Sequence, residues 1–241
     1  MSNIKQTYLY RMLKKIYRAG QDFASSVKIH KVRVSHPKSG LIKVGFLAQE
    51  PSIWDKLEPV YFDMKNSRIF ETCLFVVPPV ECYDINNSKY KDYSFFDNYF
   101  FKRYPEAIKT IDNGQMIDLS KFGLDYLFYQ RPYDDLLPEQ YKSKHTSGFV
   151  GICYLAYFNS INTIFKNIDN FHFLKNARIV FLTCDEEVQY EKRELRLGCL
   201  MEAHKILNVG YPMLDRYFKL GSETEGFTLL WTPRWTPELQ A

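Results

Sequence analysis

Three short segments bring together residue types that could do chemistry. The first is Gln130-Arg131-Pro132-Tyr133-Asp134. Its arginine offers a rigid fork of donors suited to phosphate or carboxylate, while Pro and Asp favour a turn. The second is Gly210-Tyr211-Pro212-Met213-Leu214-Asp215, where Gly permits an unusual turn, Pro opens a helix and Asp can cap or hydrogen-bond. The third is Trp231-Thr232-Pro233-Arg234-Trp235-Thr236, an arginine between two indoles that could stack on rings or hold a phosphate. Other chemistries lack their signatures. No G-x-G-x-x-G, P-loop or G-x-S-x-G occurs. His30, His36, His145, His172 and His204 are not spaced with Cys or acids as a zinc site requires, so neither a metal nor a cofactor is expected. The acidic runs Asp134-Asp135 and Asp185-Glu186-Glu187 fit helix starts and solvated faces better than catalysis.

These segments follow apolar runs, and the runs set the architecture. Leu41–Ala48 reads as a strand, and Ile53–Met64 as a helix that Pro59 should kink. Arg68–Val77 is a second strand, stopped by Pro78-Pro79, and a Tyr/Phe-rich helix is expected near Tyr90–Tyr104. Short strands follow at Met116–Leu119, Leu124–Gln130 and Phe149–Leu155, with Pro138 at the first position of a helical turn. Thr183 and Glu186 have capping-box spacing ahead of a helix running to about Leu200. Lys205–Val209 and Phe227–Trp231 are further strands. Apolar strands alternating with helices predict an α/β fold, a Rossmann-like, mostly parallel sheet covered on both faces. Ligands bind such sheets at the carboxyl ends of the strands. That points to the loops Gln49–Ser52, Pro78–Cys82, Gln130–Asp135, Ala156–Asn159, Gly210–Asp215 and Thr232–Thr236.

Composition narrows the classes. With 19 Phe, 18 Tyr and 3 Trp in 241 residues, intrinsic disorder is excluded. No apolar run approaches the length of a membrane span, and no apolar run of signal-peptide length follows the basic N-terminus. The five cysteines are scattered without a C-x-x-C, as expected of reduced thiols in a cytoplasmic protein. The net charge of +4 hides an asymmetry: residues 1–40 hold nine Lys or Arg against one acid, Asp22, while the rest holds 23 basic and 27 acidic residues. Residues 4–27 carry apolar side chains at helical spacing, with Gly20 a weak point and Arg11, Lys14, Lys15 and Arg18 on other faces. Such a helix can lie on an anionic membrane surface or pack on the sheet domain. Nucleic acid is not expected as a partner, because Tyr and Leu here follow helical spacing rather than forming a stacking platform and the body is acidic. After 30–34, where polar and apolar residues alternate, the segment 36–40 marks a boundary.

Taken in order, the segments 43–61 (KVGFLAQEPSIWDKLEPVY), 124–141 (LDYLFYQRPYDDLLPEQY), 152–157 (ICYLAY), 208–217 (NVGYPMLDRY) and 229–235 (LLWTPRW) resemble the CDP-glycerol glycerophosphotransferase family of teichoic-acid and related wall-polymer synthesis. The resemblance implies the N-terminal part of a GT-B fold. It implies a basic helix and connector over 1–40, an acceptor-side Rossmann-like domain over 41–225, and the first strand of a second, donor-binding domain over 226–241. The chemistry it implies is transfer of a glycerol-phosphate-like group from a CDP-linked donor to a lipid-linked or cell-surface polymer, on the inner face of the membrane. A fragment without the donor half is expected to be inactive alone; the alternative is a non-catalytic α/β binding or scaffold module. Implied substrate contacts are Gln49, Arg131, Tyr133, Asp134, Tyr154, Tyr157, Tyr211, Asp215 and Arg234, with Arg131 and Arg234 toward phosphate and Tyr133 and Tyr157 as cleft walls. The family's base is a His in a Trp-His-Gly-Thr-Pro segment. This chain reads Ile152–Tyr157 there, with Ala156 where a related branch has Pro, so the base is unassigned and His145 and His172 are only the nearest histidines.

Overall fold

The computed structural model describes residues 40–78, 83–84, 89–90, 94–156, 173–194 and 205–215, together with helical positions scattered between 10 and 32. Eleven strands are described. In chain order they are β1 (Ile42–Ala48), β2 (Phe70–Val76), β3 (Tyr83–Asp84), β4 (Lys89–Tyr90), β5 (Ile108–Lys109), β6 (Ile111–Asp112), β7 (Gln115–Met116), β8 (Tyr126–Tyr129), β9 (Gly151–Leu155), β10 (Ala177–Leu182) and β11 (Lys205–Asn208). The α-helices named after residue 40 are α1 (Glu58–Lys65), α2 (Ser94–Arg103), α3 (Ser143–Thr146) and α4 (Asp185–Glu194), with further helical residues at 173–176 and 213–215.

Seven of these strands form one sheet in the order β11-β10-β9-β8-β1-β2-β5, and every pairing in it is parallel. The chain builds outward from β1 to one edge through β2 and β5. It then returns to the other side of β1 and builds β8, β9, β10 and β11 in succession. This is the doubly wound, Rossmann-like topology, and its direction reverses between β1 and β8.

Side-chain alternation explains why both faces are covered. Val44, Phe46 and Ala48 of β1 point into one core with Trp54, Leu57, Tyr61, Phe100 and Tyr104. Leu47 points into the other, with Leu127, Tyr129, Ile152, Tyr154, Phe173 and Leu174. Each face is apolar, so the strands read as continuous apolar runs rather than alternating ones. On the first face Phe46 stacks on Phe128 with ring centroids 5.0 Å apart, and Phe128 on Phe181 at 5.9 Å. On the opposite face Gly45 lets the layers close: a Cβ there would lie 2.8 Å from Leu127 Cδ1 and 2.9 Å from Leu124 Cδ1.

Several expected elements differ in detail. Pro59 does not kink a helix; a 3-10 turn spans Pro51–Lys56 and α1 starts at Glu58, so Pro59 sits in the first turn, where no backbone donor is needed. Pro138 caps the 3-10 turn Glu139–Tyr141 from outside instead of occupying its first position. Met116–Leu119 is no sheet strand; β7 ends at Met116 in a small antiparallel hairpin with β6, and a 3-10 turn begins at Leu119. The cap of α4 is Glu187 rather than Glu186: its Oε2 accepts from Thr183 N at 3.0 Å and Thr183 Oγ1 at 2.8 Å. The helical positions of the N-terminal segment run on through 31–32, past the expected end at 27, because Ile29 and Val32 share one face and both are buried. Among the described cysteines, Cys153 is buried, Cys73 and Cys184 are half-buried, and burial pushes the thiols of Cys153 and Cys73 up. The expected strand 227–231 lies outside the described residues.

Candidate functional site

In a doubly wound sheet the loops leaving the carboxyl ends of the two strands at the reversal diverge, and a crevice opens between them. Here those strands are β1 and β8. The loop after β1 begins Gln49-Glu50-Pro51, and the loop after β8 begins Gln130-Arg131-Pro132. Pro at the third position of each loop prevents the strand from continuing.

Gln130 fastens the two loops together. It is 2% exposed, and its Oε1 accepts from Gln49 N at 2.8 Å and from Glu50 N at 2.9 Å. Its Nε2 donates to the Glu50 carbonyl at 2.6 Å. The Gln49 side chain reaches the other way, its Nε2 donating to Leu136 O at 2.9 Å. The backbone of the crevice is thus fixed by two buried amides, which suit this task because each carries both a donor and an acceptor.

Charge gathers around this clip. Arg131 pairs with the Glu50 carboxylate, while Ser52 Oγ donates to the other oxygen of that carboxylate at 2.6 Å. The Arg131 Nε is buried and has no hydrogen-bond partner. Lys56, from the 3-10 turn after β1, is 2% exposed and donates from Nζ to the Leu155 carbonyl at 3.0 Å, at the carboxyl end of β9. The same nitrogen stands 5.2 Å from the centroid of the Tyr154 ring, a cation–π distance. Burial, and next the positive charge of Arg131, hold the Lys56 ammonium well below the usual lysine range. One basic side chain and one carboxylate therefore share the switch point, with a second basic side chain buried at the end of the adjacent strand.

The residues expected from sequence do not all lie at one place. Gln49 and Arg131 lie on the two loops of the β1–β8 switch, Tyr154 is buried on neighbouring β9 with Lys56 over its ring, and half-buried Tyr133 lies two residues beyond Arg131. Asp134 is tied up structurally: both its oxygens accept from Ser143, from N and from Oγ, each at 2.6 Å, and Asn176 Nδ2 donates to that same Oγ at 3.0 Å. Tyr211 and Asp215 follow β11 at the far edge of the sheet, about 15 Å from the switch at the usual strand spacing. His145 is exposed on α3, where its ring nitrogen meets Glu139 at 3.1 Å, six residues before β9 begins. Tyr157, His172 and Arg234 lie outside the described residues. Sequence reasoning missed Gln130 as the clip, Glu50 as the partner of Arg131, and Lys56. A lysine next to Trp54 and Leu57, just after a central strand, was the available signal for the last.

Neither a protein-family description nor a curated protein sequence matches the chain. Among solved structures, one that is similar is a UDP-N-acetylglucosamine 2-epimerase, at 11% identity and a TM-score of 0.45. The match covers 78% of this chain and 53% of the other, so the chain spans about half the length of that protein. The α/β assignment rests on the strand order itself. Among the described residues, no helix is long and apolar enough to cross a membrane.

Proposed function

We propose that the chain is the acceptor-side domain of a transferase of the CDP-glycerol glycerophosphotransferase type. In that reaction an acceptor hydroxyl oxygen bonds to the phosphorus carrying the glycerol-like group. The bond from that phosphorus to the CMP oxygen breaks, CMP leaves, and the hydroxyl proton passes to a base. The protein's task is to place the hydroxyl and to offset the charge spreading over the phosphoryl oxygens. The observation that carries the reading is Arg131 on the loop after β8 at the β1–β8 switch, with Lys56 buried at the carboxyl end of neighbouring β9. It is supported by the resemblance, since the segments 43–61, 124–141 and 152–157 supply β1, β8 and β9 with their carboxyl-end loops. The domain division at 40 and 225, the CDP-linked donor held mostly by a second domain, the polymer or lipid-linked acceptor, and docking of residues 4–27 on an anionic cytoplasmic leaflet belong to this same reading.

The test uses the purified chain with glycerol-phosphate oligomers as acceptor mimics. The expected results are saturable oligomer binding that Arg131→Ala weakens, and no CMP release from CDP-glycerol by the chain alone. Absence of oligomer binding would end the acceptor-side reading, and robust turnover would end the division of labour between two domains. For the membrane part, deleting residues 1–40 is expected to abolish sedimentation with phosphatidylglycerol vesicles and to leave behaviour with phosphatidylcholine vesicles unchanged; undiminished sedimentation refutes it. One observation favours the second reading, a non-catalytic binding module: the described imidazole, His145, is engaged by Glu139 away from the switch point. That module would bind the oligomer in the same Arg131-dependent way and show no turnover even when supplied with a donor domain.

A further inference from the structure

The most unusual group at the switch point is Arg131. Its guanidinium is a strong, permanently charged donor set. One end meets the Glu50 carboxylate, but the Nε is buried without an acceptor. A buried unsatisfied donor is costly, and a charged one more so. A second basic side chain, Lys56, is buried on the neighbouring loop; its Nζ meets the Leu155 carbonyl, one residue past Tyr154, which pairs with Tyr129 two residues before Arg131. Glu50, by contrast, is the most accessible member: its side chain is 37% exposed, against 23% for that of Arg131. Glu50 is also held at one oxygen by Ser52, a small hydroxyl close to it in sequence. The carboxylate can therefore swing outward on a tether while the backbone of Glu50, held by the Gln130 clip, stays in place.

We propose that Arg131 and Lys56 form a receptor for a tetrahedral oxyanion of the phosphate class, and that Glu50 is the resident carboxylate which the ligand displaces. A phosphate suits it better than a carboxylate, because its extra oxygens can satisfy the idle Nε as well as the terminal nitrogens that Glu50 now engages. Binding exchanges one anion for another, so the positive charge of Arg131 is compensated throughout. Glu50 thus acts as a built-in competitor: it sets the affinity below what the two basic groups alone would give. The phosphate class of the natural ligand rests on the transferase reading above; the receptor and its competitor rest on the geometry alone.

The experiment is titration calorimetry of the full chain with inorganic phosphate and pyrophosphate at fixed ionic strength, with chloride as the screening control. Saturable binding is expected. Glu50→Gln, which keeps the shape and removes the competing charge, is expected to tighten it about two- to fivefold, the weight of a partly exposed ion pair. Arg131→Ala is expected to weaken it about tenfold or more, and Lys56→Met to weaken it as well. A gain of affinity cannot come from unfolding, so Glu50→Gln keeps the proposal open to refutation even if Arg131→Ala folds poorly. Equal or weaker binding by Glu50→Gln, or binding indifferent to Lys56→Met in a folded variant, overturns it. No turnover is measured here, so failure of the transferase reading and failure of the receptor are separate results.

Discussion

Replacing Gln130 by alanine removes the clip between the two loops of the crevice. The side chain makes three hydrogen bonds, two accepted from the amides of Gln49 and Glu50 and one donated to the Glu50 carbonyl, at 2.6 to 2.9 Å. Gln130 and Gln49 are both buried, so water cannot replace these bonds freely. Each buried amide left without an acceptor costs about 1–3 kcal/mol. Taking the low end for each amide and adding the lost donor bond gives about 3 kcal/mol. For a chain of this size that corresponds to a fall in melting temperature of about 6–12 °C. Urea denaturation followed by far-UV circular dichroism measures it. Gln130→Leu separates the causes, because leucine fills the space and makes no hydrogen bond: it should be about as destabilised as Gln130→Ala. A Gln130→Ala change within about 0.5 kcal/mol of wild type, the range of inconsequential surface substitutions, would refute the reasoning. Recovery in Gln130→Leu would assign the effect to packing instead.

The remaining predictions concern the frame around the site. Gly45→Val should destabilise by about 1–3 kcal/mol in chemical denaturation, because the new side chain meets Leu127 and Leu124 below 3.0 Å; strand propensity alone would predict a gain. Tyr104→Phe should cost about 2–3 kcal/mol, since the hydroxyl accepts from Trp54 Nε1 at 2.8 Å and donates to buried Glu58, leaving both without that partner; the melting temperature reads it. At Glu106, hydrogen bonds from Lys65 and Tyr61 outweigh burial and lower the carboxyl from 4.5 to about 2. A lowered folded-state value stabilises above the unfolded one and is lost as pH falls, so wild type should lose stability between pH 4.5 and about 2 more steeply than Glu106→Gln. Parallel slopes in denaturation midpoints across that window would disprove it.

Most of the sheet was legible in the sequence because buried parallel strands are apolar on both faces. Ile42–Ala48, Phe70–Val76, Tyr126–Tyr129 and Gly151–Leu155 all fall inside expected runs. The strand Ala177–Leu182 was not anticipated: Arg178 interrupts its apolar run, and its guanidinium reaches out to 5.5 Å from the Tyr126 ring centroid. The two-residue β5 is a strand only through its pairing with Phe75 and Val76, which no local pattern reveals. At the site, the loops were legible but not the roles within them. Arg131 was expected as a phosphate contact, whereas Asp134 reads equally as ligand or anchor until Ser143 is seen nine residues along holding it. Lys56 was overlooked because lysine is ordinarily a surface residue; only its hydrogen bond to Leu155, 99 positions along the chain, reveals that its amine is buried at the end of β9.

The central position of β1 also has a temporal side. Its partner on one flank, β2, lies only a helix away, but on the other flank it must wait for β8, with Lys43 and Asp125 82 positions apart in the chain. During synthesis the half-sheet β5-β2-β1 can assemble while the inner edge of β1, with Val44, Phe46 and Leu47, stays unsealed until residues past Tyr129 emerge. Such non-local parallel pairing is slow to form and prone to sticking meanwhile. The candidate site straddles that seam, so it is completed only when this delayed joint of the nascent sheet closes. Mutations that loosen the seam should therefore reduce the yield of folded protein before they alter anything the folded protein does.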